Sequence, residues 1–158
     1  MGEDYRYFLE QSRKPGATHC ILFCRLPGYA IDNKRRVKVD ILVPPTLNIP
    51  ESSTSERRYI NNIPVMPLFD LLIMKTRGWR DHRISHRADF RAKESADVSD
   101  IFALLARAKQ ENVSFIDEAN EGRHSPEFLG FALTLANGFV RVHRRPRPWR
   151  ALGFPVKW

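Results

Sequence analysis

Residues 35–45 read Arg35-Arg36-Val37-Lys38-Val39-Asp40-Ile41-Leu42-Val43-Pro44-Pro45. Aliphatic residues alternate with Lys38, Asp40 and Leu42, and two prolines end the run, so the pattern predicts a β-strand. One side of this strand is wholly aliphatic, whereas the other carries an acid among partly apolar neighbours. Asp40 is therefore either a solvated residue on the open face of an antiparallel sheet or a cation ligand at the floor of a cleft.

Two runs of strand length precede this segment. They are Tyr5–Glu10 and His19–Leu26, and Pro27-Gly28 ends the second run. Short connections between the three runs favour antiparallel pairing for at least one pair. Because the run at 19–26 is almost continuously apolar, we expect that strand to be buried on both faces.

The second half of the sequence has helical periodicity. Pro67 begins a helix that continues to about Trp79, and a second helix spans Ala96–Ala108. Ser125-Pro126-Glu127 has the cap, first-turn proline and acid of a third helix, which Gly138 could interrupt. The predicted fold class is α+β, with a small mixed or antiparallel sheet of three or four strands in the N-terminal half, packed by helices from the C-terminal half.

The 158-residue sequence has a formal net charge of +8, and its basic residues are concentrated at two places. One is Lys34–Lys38, and the other is a C-terminal group of arginines: Arg141, Arg144, Arg145, Arg147 and Arg150. Such a charge attracts polyanions, including nucleic acids, although a basic tail can equally be a solvated appendage. We expect one domain at residues 1–143, followed by a basic tail rich in proline and tryptophan at 144–158, extended and held by its aromatic residues.

Several classes of protein are disfavoured by the sequence. It has no run of about eighteen apolar residues, and Met1–Arg6 lacks the features of a signal peptide, so we expect no membrane contact and a cytoplasmic or nuclear location. Cys20 and Cys24 on one strand would lie roughly 13 Å apart. That separation prevents a disulfide between them, and both thiols are expected to be reduced.

A strand with a Val-Asp-Ile-Leu motif is followed by a leucine-rich helix with a lysine, a basic segment and a helix with an Asp-x-x-Asp-Ile motif. This order, over about residues 5–108, resembles the nucleotidyltransferase superfamily, which has the fold of the DNA polymerase beta palm, and within it the small nucleotidyltransferase-like proteins of fungi. The matching segments are Val39-Asp40-Ile41-Leu42, Asn48-Ile49-Pro50, residues 68–75, residues 78–83, and residues 97–101 with Leu104-Leu105.

The resemblance implies a specific chemistry. In the superfamily, three carboxylates hold two divalent cations such as Mg²⁺, which align a nucleoside triphosphate and activate an acceptor hydroxyl. Asp40 matches the third of these acids and is the candidate catalytic and metal-binding residue. Lys75, Lys38 and Arg83 are the candidate nucleotide-binding residues, although the stem of Lys75 could instead pack on its own helix. The acids at 97 and 100 match a later helix and are interpreted as capping and packing residues.

The sequence departs from the family pattern at its beginning. Residues 1–36 contain no Gly-Gly or Gly-Ser and no Asp/Glu-x-Asp/Glu pair on a strand, so the first two acids of the family have no counterpart. We expect a truncated or degenerate member that binds a nucleotide triphosphate or RNA without independent catalysis. An exposed sheet edge at the position of the absent element could support a homodimer.

The alternative is an active enzyme that transfers a nucleoside monophosphate to an RNA or protein hydroxyl. It would use Asp40 together with a second acid such as Asp32 or Glu10. A metal-dependent nuclease is disfavoured, because the acid and lysine of the strand come in the wrong order. A zinc site at His82 and His86 is also disfavoured, because no cysteine or acid completes it.

Overall fold

The computed structural model describes residues 6–13, 15–26, 36–41, 49–50 and 58–157. The chain groups into two compact units, residues 1–43 and residues 44–158. The predicted boundary between residues 143 and 144 therefore falls inside the second unit. The α+β class predicted from the sequence is confirmed.

The first unit contains a three-stranded antiparallel sheet in the order β1-β2-β3. The strands are β1 (Tyr7–Gln11), β2 (Cys20–Arg25) and β3 (Arg36–Val39). The predicted strand at 37–43 is thus confirmed in its first part, but it ends one residue before Asp40. Residues 42–45 lie outside the described part of the chain.

Aromatic rings and guanidinium groups cover one face of this sheet. Phe8 pairs with Phe23 across the strands, and their rings stack at 5.8 Å. The guanidinium carbon of Arg25 lies 4.4 Å above the first ring, and that of Arg36 lies 4.2 Å above the second. These cation–π contacts cover the rings only in part, and every residue of β2 is exposed or half-buried. The prediction that this strand is buried on both faces is therefore wrong.

The second unit begins with a hairpin and continues with helices. In the hairpin, β4 (Arg58–Ile60) pairs with β5 (Ile63–Val65), and Asn61 and Asn62 both have the positive φ that a tight turn of this kind requires. The helices are α1 (Leu68–Arg83), α2 (Ala88–Arg91), α3 (Glu94–Gln110), α4 (Phe115–Asn120), α5 (Pro126–His143) and α6 (Arg147–Arg150). The three helices predicted from periodicity are confirmed as α1, α3 and α5, and α5 continues through Gly138 without interruption.

Among the described residues, the side chains that form the hydrophobic core come from the part of the sequence between Phe69 and Val156. It forms where α1 packs against α3 and α5, and aromatic side chains near the C-terminus complete it. Trp149 is fully buried, and its ring packs edge to face on Phe154 at 5.1 Å. The expected docking by aromatic residues is confirmed for Trp149, but the extended conformation is wrong, because residues 147–150 form α6.

None of the helices in the described part of the chain combines the length and the apolar composition that a membrane span requires.

Candidate polyanion-binding site

Asp40 lies just beyond the end of β3 and forms an ion pair with Lys38. The carboxylate Oδ1 is 2.7 Å from the ammonium nitrogen, and the two side chains are 63% and 54% exposed. Both line an open cleft of about 390 Å³ that also includes His19 and Cys20. The structure thus brings the candidate metal-binding acid together with one candidate nucleotide-binding residue.

The other acids of this unit do not join Asp40 in a cluster within the described residues. Glu10 is paired with Arg36, whose guanidinium covers an aromatic ring of the sheet. Asp32 lies outside the described residues. Across residues 6–13, 15–26, 36–41, 49–50 and 58–157, no group of three histidine, cysteine or acidic side chains is arranged to hold a metal ion.

Lys75 and Arg83 lie on α1, eight residues and about 12 Å apart along the helix axis. Each is paired with a carboxylate of α3. The Lys75 ammonium is 2.7 Å from Asp100, and the Arg83 guanidinium is 2.5 Å from Glu94. These side chains tie two helices together, and a bound phosphate would have to compete with an acid at either position.

A third polar contact joins the same two helices. Nδ1 of His82 lies 2.6 Å from Oδ2 of Asp97, which is buried. The side chains of Asp97 and Asp100 therefore contact α1, which agrees with the packing role expected for them.

Most arginines elsewhere in the described residues also have an acidic partner. The pairs are Arg36 with Glu10, Arg58 and Arg107 with Glu111, Arg77 and Arg80 with Asp81, Arg87 with Asp89, and Arg123 with Glu118 and Glu121. Their positive charge is largely neutralised locally. Among the described residues, the remaining positive charge is consequently concentrated where arginines lack such partners.

Of the residues that the structure describes, the C-terminal arginines form the largest group of this kind. Arg144, Arg145, Arg147 and Arg150 line an open cleft of about 520 Å³ together with Pro146 and Pro148, and we call it the arginine cleft. Arg141 is exposed in the last turn of α5. Within the described part of the chain, no carboxylate lies within 4.0 Å of these five guanidinium groups.

The backbone around the arginine cleft is fixed by its local sequence. Helix α5 ends where Arg144 adopts a left-handed conformation with φ +54°, and its amide donates to the carbonyl of Val140 at 2.8 Å. Pro146 and Pro148 restrict φ and have no amide hydrogen. Between the exposed arginines of α6, the buried Trp149 anchors the helix in the core. The arginines are therefore presented from a rigid support.

The charge of the arginine cleft does not depend on histidine. Burial lowers the pKa of His143, which ends α5, and the positive charges of Arg83 and Arg145 lower it further against the opposing effect of Glu94. Guanidinium groups remain protonated throughout the physiological range. Binding of an anion in the cleft should accordingly change little between pH 7 and pH 8.

Sequence reasoning did not identify a buried charged cluster in the same unit. Nε2 of His124 lies 2.5 Å from Oδ1 of Asp70, and its Nδ1 lies 3.8 Å from Oε2 of Glu118. All three side chains are at least nine-tenths buried. No local motif could have revealed this cluster, because its members come from α1, α4 and the turn before α5.

In comparisons with known proteins, no family model, no curated protein and no solved structure matches the chain.

Proposed function

We propose that this protein is a nucleic-acid-binding module with a nucleotidyltransferase-like fold and without independent catalysis. The observation that carries the proposal is the arginine cleft with neighbouring Arg141, where exposed guanidinium groups have no carboxylate partner among the described residues. Phosphate groups of a single-stranded RNA are the proposed ligand of this surface.

The side-chain chemistry supports binding over simple solvation. A guanidinium group presents a planar set of donors that can bind a phosphate through two hydrogen bonds at once. In a mobile tail, much of the gain from such bonds would be offset by lost conformational freedom. Here the neighbouring Trp149 is fully buried, so α6 is already ordered before any ligand binds.

The sequence and the ion pairs of the sheet support the absence of independent catalysis. Residues 1–36 lack the Asp/Glu-x-Asp/Glu pair of the superfamily, and the two acids discussed above, Glu10 and Asp40, are each paired with a cation. A role for Mg²⁺ enters the proposal only if a further acid such as Asp32 completes a ligand set with Asp40.

The test is the binding of a fluorescein-labelled single-stranded RNA, measured by anisotropy at several salt concentrations. Substitution of Arg145→Gln together with Arg147→Gln removes two charges from the arginine cleft. We expect affinity to fall about a hundredfold, because each of the two lost charged hydrogen bonds contributes about 1.5 kcal/mol. The slope of log K against log salt should also become shallower by about 1.4, because each contact with a single strand contributes about 0.7.

The matched control is Arg87→Gln with Arg107→Gln, which lowers the net charge by the same amount. Arg87 lies over the ring of Phe90, just as Arg145 lies over the ring of Phe102. Each double variant therefore loses one cation–π contact. Both control arginines already have acidic partners, and we expect their loss to leave the affinity nearly unchanged. Equal weakening by the two double variants would show that only net charge matters, and no binding by the unmodified protein would refute the proposal.

A further inference from the structure

The charge density of the arginine cleft exceeds what one internal phosphodiester of a nucleic acid requires. Four arginines from a seven-residue segment line one cleft of about 520 Å³, and no carboxylate of the described residues lies within 4.0 Å of their guanidinium groups. An internal phosphodiester carries a single negative charge, and successive phosphates of a single strand are spread along the backbone. A terminal triphosphate instead carries up to four negative charges within a few ångströms.

Backbone strain at Arg144 is a second, independent observation. Among the described residues, the non-glycine positions with positive φ are Asn61, Asn62, Asn112 and Arg144. Asparagine tolerates this conformation comparatively well, whereas a long side chain such as arginine adopts it less readily than glycine would. Strained positions of this kind recur at ligand-binding sites. Arginine at position 144, which lines the cleft, is therefore less stable there than glycine would be.

We propose that the arginine cleft binds a group of clustered phosphates, specifically the triphosphate at the 5′ end of an RNA, and that Arg144 is one of its binding residues. The inference rests on the proposed function, because it names the part of the nucleic acid that this same site recognises. An open cleft of about 520 Å³ is within the size range of sites for small ligands, so it has room for the clustered phosphates of a terminal nucleotide.

The recognition geometry follows from the positions of the arginines. Arg147 and Arg150 begin and end α6, and Arg144 and Arg145 precede it. One guanidinium nitrogen of Arg150 donates to the carbonyl of Val156 at 3.3 Å, which orients this side chain before a ligand binds. One arginine is thus oriented before a ligand binds, and the turn at Arg144 fixes the backbone of another, an arrangement that suits a compact anion.

The first experiment compares one RNA sequence with a 5′-triphosphate, a 5′-monophosphate or a 5′-hydroxyl end. We expect the triphosphate form to bind at least tenfold more tightly than the hydroxyl form, with the monophosphate between them. Inorganic tripolyphosphate should displace the triphosphate RNA, because it presents the same clustered charge. Equal affinity for the three ends, within a factor of two, would overturn the inference while leaving the proposed function intact.

The second experiment uses Arg144→Gly in the full-length protein. Relief of the left-handed strain should raise the melting temperature by about 2 °C, since glycine adopts positive φ freely. The same substitution should weaken binding of the triphosphate RNA about tenfold and bring its affinity close to that of the hydroxyl form. Unchanged preference for the triphosphate end in Arg144→Gly would refute the role of this residue.

Asn112→Gly is the matched control, because Asn112 follows α3 with φ +56° and does not line the arginine cleft. It should gain less stability, because asparagine already tolerates positive φ, and it should keep the triphosphate preference. Loss of that preference in the control would overturn the assignment, since any relaxed turn would then have the same effect.

Failure of the inference and failure of the proposed function give different results. Binding of tripolyphosphate that Arg144→Gly abolishes, with no binding of any RNA, would support the clustered-phosphate site and refute the RNA end as its source. Binding of all RNA forms with equal affinity would support the proposed function and refute the preference for a terminal triphosphate.

Discussion

Gly153 is the residue at which backbone conformation and close packing coincide most clearly. Its φ is +79°, and a Cβ atom at this position would lie 3.1 Å from Cγ1 of Ile116. The carbonyl of Leu152, the residue before this glycine, accepts a hydrogen bond from the amide of Phe115 at 2.8 Å. This glycine thus allows the chain after α6 to pass directly against α4.

At the residue scale we predict that Gly153→Ala destabilises the protein by about 1–3 kcal/mol, because it combines an unfavourable φ with a tight contact. Urea unfolding followed by tryptophan fluorescence measures the change, since Trp79 and Trp149 are buried in the same unit.

Gly138→Ala is the contrasting variant. Gly138 lies within α5, and no atom outside its local backbone would come within 4 Å of an added Cβ. Alanine should therefore stabilise the helix by roughly 0.5–1 kcal/mol. A destabilised Gly138→Ala, or an unchanged Gly153→Ala, would contradict this account of the two positions.

At the scale of elements, the cluster of Asp70, His124, Glu118 and Arg123 connects α1, α4 and the turn before α5. Burial opposes the charged form of His124, but the hydrogen bond and the negative charge of Asp70, with smaller contributions from the Arg123 backbone and Glu118, raise the pKa of the imidazole above 6.5. Burial also raises the pKa of Glu118 above 4.5, against the opposing effects of His124 and Arg123. The protonated forms of both groups are thus favoured in the folded state.

The pH dependence of stability follows from these directions. A base with a raised pKa stabilises the fold fully below its unfolded pKa of about 6.5, and this contribution is lost as the pH rises through the folded value. An acid with a raised pKa likewise disfavours the fold as the pH rises above about 4.5. Both groups therefore lower the free energy of unfolding as the pH rises, and the effect of His124 occurs above pH 6.5.

We predict that His124→Gln flattens the decrease in the free energy of unfolding above pH 6.5. Glutamine can still donate a hydrogen bond to the buried Asp70 but does not titrate. Urea unfolding at a series of pH values from 5.5 to 8.5 measures the effect. A decrease that is equally steep in the variant would mean that other groups cause it.

His143→Gln is a control of opposite sign. The pKa of His143 is lowered, so this histidine favours the folded state increasingly as the pH rises toward 6.5. Its removal should change the curve below pH 6.5 and leave the decrease above that value in place.

At the scale of the whole molecule, the two compact units differ in their cores. Every apolar side chain counted as buried among the described residues belongs to residues 44–158. The three-stranded sheet of residues 1–43 instead has half-buried rings covered by arginines. Since burial of apolar surface is the main stabilising term, most of the stability should reside in the second unit.

We therefore predict that a fragment of residues 44–158 unfolds cooperatively, with a melting temperature within about 5 °C of that of the full chain. It should also keep the affinity of the arginine cleft for triphosphate RNA. Thermal unfolding by circular dichroism and the anisotropy assay give the two readings. A fragment without a cooperative transition would show that residues 1–43 are required for the fold of the second unit.

Elements whose signals lie within a few residues of each other can be predicted from the amino-acid sequence. Alternation at Val37 and Val39 gave β3, and Ser125 with Pro126 gave the start of α5, where the serine hydroxyl accepts from the amide of Phe128 at 3.2 Å. Periodicity also gave α1 and α3. Such patterns suffice because backbone conformation depends largely on near neighbours along the chain.

Which charges are paired and which are exposed depends instead on tertiary packing. Lys75, a candidate phosphate ligand, contacts Asp100, 25 residues away. The C-terminal arginines could have been a solvated tail without the burial of Trp149. The bond of Asp70 with His124 joins residues 54 positions apart. Charge neutralisation and burial depend on groups that packing brings together from distant parts of the chain. These contacts therefore cannot be predicted from the local sequence.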